Sequence, residues 1–484
     1  MKGEMTAGKL PSTSGAESHS ASATTDLGAK EAYLLARLER LPFTRWHAKA
    51  RIVMGSATFF DAFAALSLAY ALPVLIGQWH LKASDVGVLI AAGYIGQLIG
   101  AIFFGAVAEK KGRVKSATAA IALMAVMGVA CGFANGYWAL LAFRFLQGVG
   151  VGGEVPVAAA YINELSQAHR RGKFFMLYEM IFPIGLMLTG QLAVWLVPTL
   201  GWHALFLFGA LPTLLIACFV FKLPESPRWL INKGCLGQAE SIVQQAEASA
   251  LRTGKPLEQV AMQRPAPAVA QTAPMPGPKQ KTRVSEVLSS TYRSRTLIVW
   301  GLWATSYFVA NGLNNWLPSL YHTVFHMPLV DALRTASLTN VLQVVATLVC
   351  AFAIDRVGRR SWTVGSFVVA GIILAVLWWT GSTNVWTVIV LCSTAYAVIG
   401  STNTLLYLYT PEIYPTRMRA IATALATSWL RGASAAAPAL MGVIVQAGEL
   451  DSAFIVFASV CAVGGLVALG MIETSRRRLE QIAS

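Results

Sequence analysis

Apolar stretches of roughly 20 residues recur along this chain, and they constrain the possible folds more than any other feature of the sequence. A helix of that length crosses a hydrocarbon core of about 30 Å with its own backbone groups satisfied. The composition agrees, because 55% of the 484 residues are hydrophobic and 13% are charged, whereas soluble domains carry about 25% charged residues. The sequence therefore predicts an all-α protein that crosses the membrane many times.

Charged residues, glycine and proline divide the apolar sequence into two sets of six predicted helices. The first set is 52–78, 85–108, 115–133, 136–163, 173–198 and 202–222. The second set is 295–321, 328–353, 361–381, 384–408, 418–446 and 452–472. We expect an N-terminal tail at 1–50, a six-helix bundle at 51–222, a linker at 223–293, a second bundle at 294–473 and a C-terminal tail at 474–484.

The positive charge is concentrated in every second loop between these predicted helices. The net charge of +15 would suit a nucleic-acid-binding protein, but no soluble domain with a basic face is present to bind one. Short loops rich in lysine and arginine stay in the cytoplasm, while the alternate loops, such as Asn135-Gly136, carry none. Both termini are therefore predicted to be cytoplasmic, and the Ser/Ala-rich first 30 residues are predicted to be a disordered tail rather than a signal peptide.

The sequence offers no cofactor motif, metal-ligand spacing or nucleophile cluster. Five of the six cysteines lie in apolar segments, and no two form a CxxC pair. The linker is too poor in apolar residues to bury the core of a catalytic domain. We expect no cofactor, no metal and no enzymatic activity.

Two loop motifs occur in both halves, in the same register. Each combines an acidic residue at a helix end with basic residues after a tight turn, which is the charge pairing that a gate between helices requires. The first motif contains Glu109 and Arg113 in one half, and Asp355 and Arg359 in the other. The second contains Glu164, Arg170 and Arg171, and Glu412, Arg417 and Arg419.

These repeated motifs resemble those of the major facilitator superfamily. The segment Pro224–Leu230, with Glu225 and Arg228, is similar to the sugar-porter branch, and Phe60–Phe63 and Trp316–Pro318 resemble its bacterial niacin and aromatic-acid carriers and their synaptic-vesicle-protein relatives. The resemblance implies two bundles of six helices that rock about one central site, in a bacterial inner membrane. It also implies gating roles for the motif residues.

Arg431 is the most informative single residue, because a charge within a membrane is costly and marks a functional site. It lies about twelve residues, or roughly 18 Å, beyond Arg419 and so near the middle of the membrane. A guanidinium there can bind a carboxylate bidentately. Organic-anion carriers similarly place an arginine in this helix; the alternative is a buried ion pair with Asp61 or Glu179.

Four further ionisable residues lie within predicted helices and are candidates for proton coupling: Asp61, Arg144, Glu154 and Glu179. Asp61 and Arg144 match in depth, so they form either a proton switch or a permanent structural pair. Relatives typically carry Asp-x-x-Asp here, but the second position is Ala64. Coupling then falls to Asp61, Glu154 or Glu179, with a gating role favoured for Glu179, or the chain is a facilitator that moves no protons.

Polar and aromatic residues cluster in the seventh predicted helix. Tyr307, Asn311, Asn315 and Trp316 stand where a lipid-facing helix would carry leucine and valine. They suit an aromatic or amide-bearing ligand, although the two asparagines could instead bond helix to helix. The glycines of Gly148–Gly153 are predicted to allow close helix packing rather than to bind phosphate.

The sequence therefore predicts a monomeric proton-coupled symporter of a small aromatic or heterocyclic carboxylate, working by alternating access. Its partners would be that small molecule, protons and the lipid bilayer. A carrier of a neutral sugar or polyol is the alternative within the same class. A non-transporting membrane sensor or scaffold is the alternative from another class.

Overall fold

In the computed structural model most of the described residues are α-helical. The described residues are 28, 30–165, 179–254, 257, 284–415 and 418–475. Within them lie twelve long helices, six in each half. In the N-terminal half these are α1 Arg45–Trp79, α2 Ala83–Lys111, α3 Arg113–Gly132, α4 Tyr137–Leu165, α5 Ile181–Leu200 and α6 Trp202–Phe221. In the C-terminal half they are α7 Arg293–Ser319, α8 Leu329–Val357, α9 Arg359–Thr380, α10 Val385–Glu412, α11 Arg419–Gln446 and α12 Leu450–Leu469.

The twelve helices confirm the predicted all-α membrane fold. Eleven are long and apolar enough to cross a membrane, and the exception is α7, whose three asparagines lower its hydropathy. Several helices extend beyond the predicted spans; α1 begins at Arg45 and α8 ends at Val357. The apolar run marks only the hydrocarbon-spanning part of a helix, whereas its backbone hydrogen bonds continue into the polar interface.

Two faces of this bundle are distinguished below. The proximal face is the side on which α1 begins and α12 ends. The distal face is the opposite side, at the α1–α2 connection. With twelve alternating helices, α2, α4, α8 and α10 end at the proximal face.

Glycines of α4 allow close approach to its neighbours, as predicted. A Cβ added at Gly148 or Gly152 would clash with backbone atoms of α2 at Gly93 and Gln97. A Cβ at Gly150 would lie 2.7 Å from the carbonyl oxygen of Ala120 in α3. The helix is thus packed backbone to backbone, and larger residues would force the helices apart.

The first loop motif takes the same form in both halves. Arg113 Nη1 lies 2.7 Å from Glu109 Oε1, and Arg359 Nη1 lies 2.9 Å from Asp355 Oδ1. In each pair the arginine is largely buried and the carboxylate is exposed. In the C-terminal copy of this motif, the turn glycine, Gly358, has φ +93°, a backbone conformation that other residues rarely adopt.

Clustering of contacts separates a second, smaller unit from this membrane unit. Its described residues are 28, 30–49, 164–165, 224–254 and 257. Residues 30–39 are helical, and two further helices are Pro227–Asn232 and Leu236–Arg252. The apolar pattern did not predict the first of these, because it lies within the segment expected to be a tail.

The small unit is held by a buried apolar contact and by a charge cluster. Leu38 and Leu41 pack on Val243 of Leu236–Arg252. Glu247 accepts hydrogen bonds from Arg37 Nε at 3.0 Å and Arg40 Nη2 at 2.6 Å. Burial alone would raise the pKa of Glu247, but these hydrogen bonds and charges outweigh it and lower that pKa below its usual value.

Candidate functional site

Ionisable and aromatic side chains from both halves meet near the middle of the membrane unit. Arg431 of α11 interacts electrostatically with Asp61 of α1 and with Tyr307 and Tyr407. Glu179, which lies two residues before α5, interacts with the same two tyrosines. Side chains at the lipid surface of one half would not meet partners from the other half, so this cluster lies between the two.

Arg431 is the centre of the cluster. It is 5% exposed, and its Nη1 donates to the carbonyl oxygen of Thr427 at 3.2 Å, one turn earlier in α11. Among the described residues its Nε has no hydrogen-bond acceptor. A buried guanidinium with N–H groups still to satisfy is suited to receive an anion.

Three aromatic residues pack together beside Arg431. The rings of Trp303 and Tyr307 stack with centroids 5.5 Å apart, and Tyr407 meets Trp303 edge to face at 4.6 Å. The indole N–H of Trp303 donates to Thr410, which fixes the ring. Tyr307 and Tyr407 are only half-buried, so their rings are accessible next to a cation.

The acidic residues of the N-terminal half approach this cluster from the other side. Asp61 is 2% exposed, and within the described chain its Oδ1 has no hydrogen-bond partner. Its charged neighbours include Arg431 and Glu154. The carboxylate of Glu154 accepts a hydrogen bond from Thr58 Oγ1 at 3.1 Å and interacts with both Asp61 and Glu179.

The structure does not pair Arg144 with Asp61. Arg144 Nη1 donates instead to the backbone carbonyl of Ala64 at 2.6 Å and to Gln147 Oε1 at 2.7 Å. At Ala64, a main-chain oxygen therefore accepts the arginine's hydrogen bond. Arg144 Nη1 is thus bonded to neutral groups, while its Nε has no partner among the described residues, and Asp61 interacts electrostatically with Arg431.

The predicted polar residues of α7 divide into two groups. Tyr307 belongs to the cluster, whereas Asn311 Nδ2 donates to Ser434 Oγ in α11 at 2.7 Å and Asn315 Nδ2 to the Tyr94 hydroxyl in α2 at 3.2 Å. The indole N–H of Trp316 donates to the carbonyl of Pro438 at 3.1 Å. These three side chains bond helix to helix.

Contacts between the two halves are seen in the distal part of the helices. Gly87 of α2 is so close to α11 that an added Cβ would lie 2.8 Å from the carbonyl oxygen of Pro438. The α5 and α8 helices also pack together, and Asn340 of α8 donates to the Tyr70 hydroxyl of α1 at 3.3 Å. These contacts, with Asn315–Tyr94, form what we call the distal seal.

The predicted gating residues lie at the proximal face or in the small unit. Within the C-terminal half, Arg359 reaches Glu412 at 3.6 Å, so the two loop motifs of that half contact each other. Arg419 Nε donates to the carbonyl of Tyr414 at 3.0 Å. In the small unit, Arg228 Nε donates to the Glu164 carbonyl at 3.1 Å, and Glu225 caps the amide of Ser226. Arg170, Arg171 and Arg417 lie outside the described residues.

Tyr407 belongs to the cluster and Ser434 adjoins it through Asn311, and of these two only Tyr407 was not predicted from the sequence. Tyr407 lies in Tyr407–Tyr409, a run of aromatic and aliphatic residues that looks like ordinary helix surface. Ser434 follows Arg431 by one turn, so the α-helical spacing alone was a usable signal for it. For Tyr407 no local signal exists, since only the packing of α7 on α10 brings it there.

The fold and the polar centre between two halves define a membrane carrier, and comparison with known proteins gives its family. Residues 46–484 match the family model "Sugar (and other) transporter", and the chain belongs to this family. The niacin transporter NiaP of Acinetobacter baylyi is 30% identical over 93% of this chain and 99% of that protein. The 4-hydroxybenzoate transporter PcaK of the same organism is 25% identical over 81% of this chain and 82% of that protein.

The solved structures confirm the major facilitator fold. The xylose transporter XylE from E. coli, in a partially occluded inward open conformation, superimposes with a TM-score of 0.68 at 19% identity, covering 90% of this chain and 100% of that one. As a member of its family, whose model and relatives are transporters rather than enzymes, this protein is a multi-pass membrane transporter.

Proposed function

We propose that this protein is a proton-coupled symporter of a small aromatic or heterocyclic carboxylate. The observation that carries the proposal is Arg431, a buried guanidinium beside two accessible tyrosine rings. A carboxylate would bind the guanidinium through charge-assisted hydrogen bonds, while the ring of the substrate packs against Tyr307 and Tyr407. The substrates named for NiaP and PcaK have this chemistry, which supports the same class here.

The coupling follows from the proximity of Asp61 to Arg431. In the empty state, an ionised Asp61 would balance the charge of Arg431. In the loaded state, the substrate carboxylate would balance it and Asp61 would carry a proton. Both states have no net charge at this pair, whereas binding of the proton or the anion alone would leave a costly buried charge as the halves close.

The distal seal and the basic loops together indicate which side of the membrane the proposed site faces. We assign the proximal face to the cytoplasm, because the basic loops lie there. With the distal side closed, the site would exchange substrate with the cytoplasm in this conformation, and rocking of the halves would open it outward. Both chain ends would then be cytoplasmic.

Uptake by the purified full-length protein in proteoliposomes tests the proposal. Labelled nicotinate, benzoate and xylose would be presented with and without an inward proton gradient. We expect uptake of one or more of the acids, stimulated by the gradient and accompanied by alkalinisation outside. Acid uptake without proton movement would show a facilitator, and uptake of xylose alone would refute the anion assignment.

A neutral sugar or polyol is the second candidate, and the amide-rich helix–helix contacts favour it. Asn340, Gln343 and Tyr396 form a buried hydrogen-bonded group, with Tyr396 donating to Gln343 Oε1 at 2.7 Å. Amide and hydroxyl groups of this kind bind sugar hydroxyls. Competition by sugars, with none by carboxylates, would support this candidate.

A further inference from the structure

Asn403 of α10 lies next to the central cluster. It precedes Tyr407 by four residues, so the two side chains share one face of the helix, one turn or about 6 Å apart. Tyr407 in turn meets Trp303 edge to face and interacts electrostatically with Arg431. Asn403 therefore lies beside a ring against which the proposed substrate would pack.

The oxygen and the nitrogen of this side-chain amide differ in their partners. The carbonyl oxygen, Oδ1, accepts a hydrogen bond from the hydroxyl of Ser306 in α7. The nitrogen, Nδ2, has no acceptor among the described residues and is not fully enclosed, although Asn403 as a whole is only 8% exposed. Because the oxygen and the nitrogen of an amide diverge, the bond to Ser306 directs the two N–H donors away from that serine.

The two asparagines of α7 use their N–H donors differently. Asn311 Nδ2 donates to Ser434, and Asn315 Nδ2 donates to Tyr94, so each amide bonds helix to helix through its nitrogen. A role for Asn403 as a simple link between α7 and α10 would use its oxygen alone and leave two donors unsatisfied in a largely buried place, which costs free energy. Water can accept from these donors in the empty site, and an acceptor on a bound ligand would replace it.

The position of these donors determines which part of the ligand they would meet. Arg431 would bind the carboxylate and Tyr407 would contact the face of the ring, so a donor one turn further along α10 is placed to meet the edge of the ring. The edge of a benzene ring carries only C–H groups, which cannot accept a hydrogen bond. An unprotonated ring nitrogen, like that of a neutral histidine, accepts one.

From these observations we infer that Asn403 determines specificity by donating a hydrogen bond to an acceptor atom at the edge of the substrate ring. The substrate class is thereby narrowed to heterocyclic acids such as pyridine carboxylates, and carbocyclic acids such as benzoate bind less tightly. Ser306 is a positioning residue, because its hydroxyl orients the amide. This inference rests on the proposed function, since it takes binding of the carboxylate by Arg431 as given.

Calorimetric titration of the purified full-length protein with nicotinate and with benzoate tests this inference. The two acids share the carboxylate and differ at one position of the ring. The wild type should bind nicotinate roughly 2- to 10-fold more tightly than benzoate, the contribution of one neutral hydrogen bond. Asn403→Leu has a side chain of similar size without a donor and should abolish this preference. Ser306→Ala keeps the amide but frees its orientation, so the preference should fall less.

Asn311→Leu is the matched control, because the amide nitrogen of Asn311 already donates to Ser434. It should change the affinities for both acids by the same factor, with the melting temperature showing that each variant is folded. Wild-type binding of benzoate as tight as that of nicotinate, or an unchanged preference in Asn403→Leu, would overturn this inference while the proposed carboxylate site stands. Binding of neither acid by the wild type would overturn the proposed function and this inference together.

Discussion

Replacement of Arg431 should remove the ability of the protein to distinguish a carboxylate from its neutral amide. The guanidinium is buried, so solvent and salt screen its interaction with a bound anion little. A hydrogen bond to a charged group contributes about 1.5–3 kcal/mol. At about 1.4 kcal/mol per tenfold change in affinity, Arg431→Ala should weaken nicotinate binding roughly 10- to 150-fold.

The lysine variant separates charge from geometry. Arg431→Lys keeps the positive charge but replaces the planar fork with a single ammonium group. We expect it to bind nicotinate more tightly than Arg431→Ala and more weakly than the wild type. Nicotinamide has the same ring without the charge, so its affinity should be nearly the same in all three proteins.

Calorimetric titration of the purified protein with nicotinate and nicotinamide measures both affinities. Arg334→Ala is the control variant, because Arg334 is an exposed arginine near the distal end of α8. Two results would refute the reasoning: nicotinate binding that Arg431→Ala leaves unchanged, or an equal loss of affinity for the acid and the amide. The second result would show that Arg431 shapes the site without contacting the carboxylate. Benzoate and benzamide serve as the equivalent pair if nicotinate does not bind to the wild type.

Three further variants test other parts of the structure. Asp61→Asn should retain exchange of labelled substrate while losing its stimulation by a proton gradient in proteoliposomes; gradient-driven uptake at the wild-type rate would exclude Asp61 as the proton carrier. Because its pKa is lowered in the fold, Glu247 contributes stability above its unfolded pKa of about 4.3 that is lost as pH falls through the folded value. Glu247→Gln should therefore speed hydrogen exchange around Arg37 several-fold at pH 7, and progressively less as the pH is lowered through the folded pKa; an effect that stays equal at every pH would contradict this. Gly148→Leu should lower the melting temperature by overpacking, a cost of about 1–3 kcal/mol or more, whereas Gly365→Leu, with open space around its Cβ position, should not.

The number of helices could be predicted from the sequence because each one must bury or present an apolar surface over the thickness of the bilayer. The ends of the helices could not, since hydrogen bonding continues past the apolar run, as at Arg45 and Val357. The repeated loops identified the superfamily, and the pairs Glu109–Arg113 and Asp355–Arg359 form in both halves. Such short-range pairs depend on i, i+4 spacing, which is visible in sequence.

The candidate site was predictable only residue by residue. Arg431 and Asp61 stand out in any apolar helix, but their proximity depends on how the two halves pack. Asp61 had two expected partners, Arg144, which matches it in depth, and Arg431; the structure places Arg144 against the carbonyl of Ala64 instead. Depth along a helix can be counted from sequence, whereas the direction of a side chain about the helix axis relative to a distant helix cannot.

The energy of the hydrogen bonds in the distal seal can be compared with the energy that a membrane potential supplies. Two of its hydrogen bonds, Asn315–Tyr94 and Asn340–Tyr70, contribute about 1 kcal/mol each. One elementary charge moved through 100 mV changes the free energy by about 2.3 kcal/mol. A membrane potential of ordinary size therefore equals both bonds together, and any step that moves net charge while the seal opens would depend steeply on voltage.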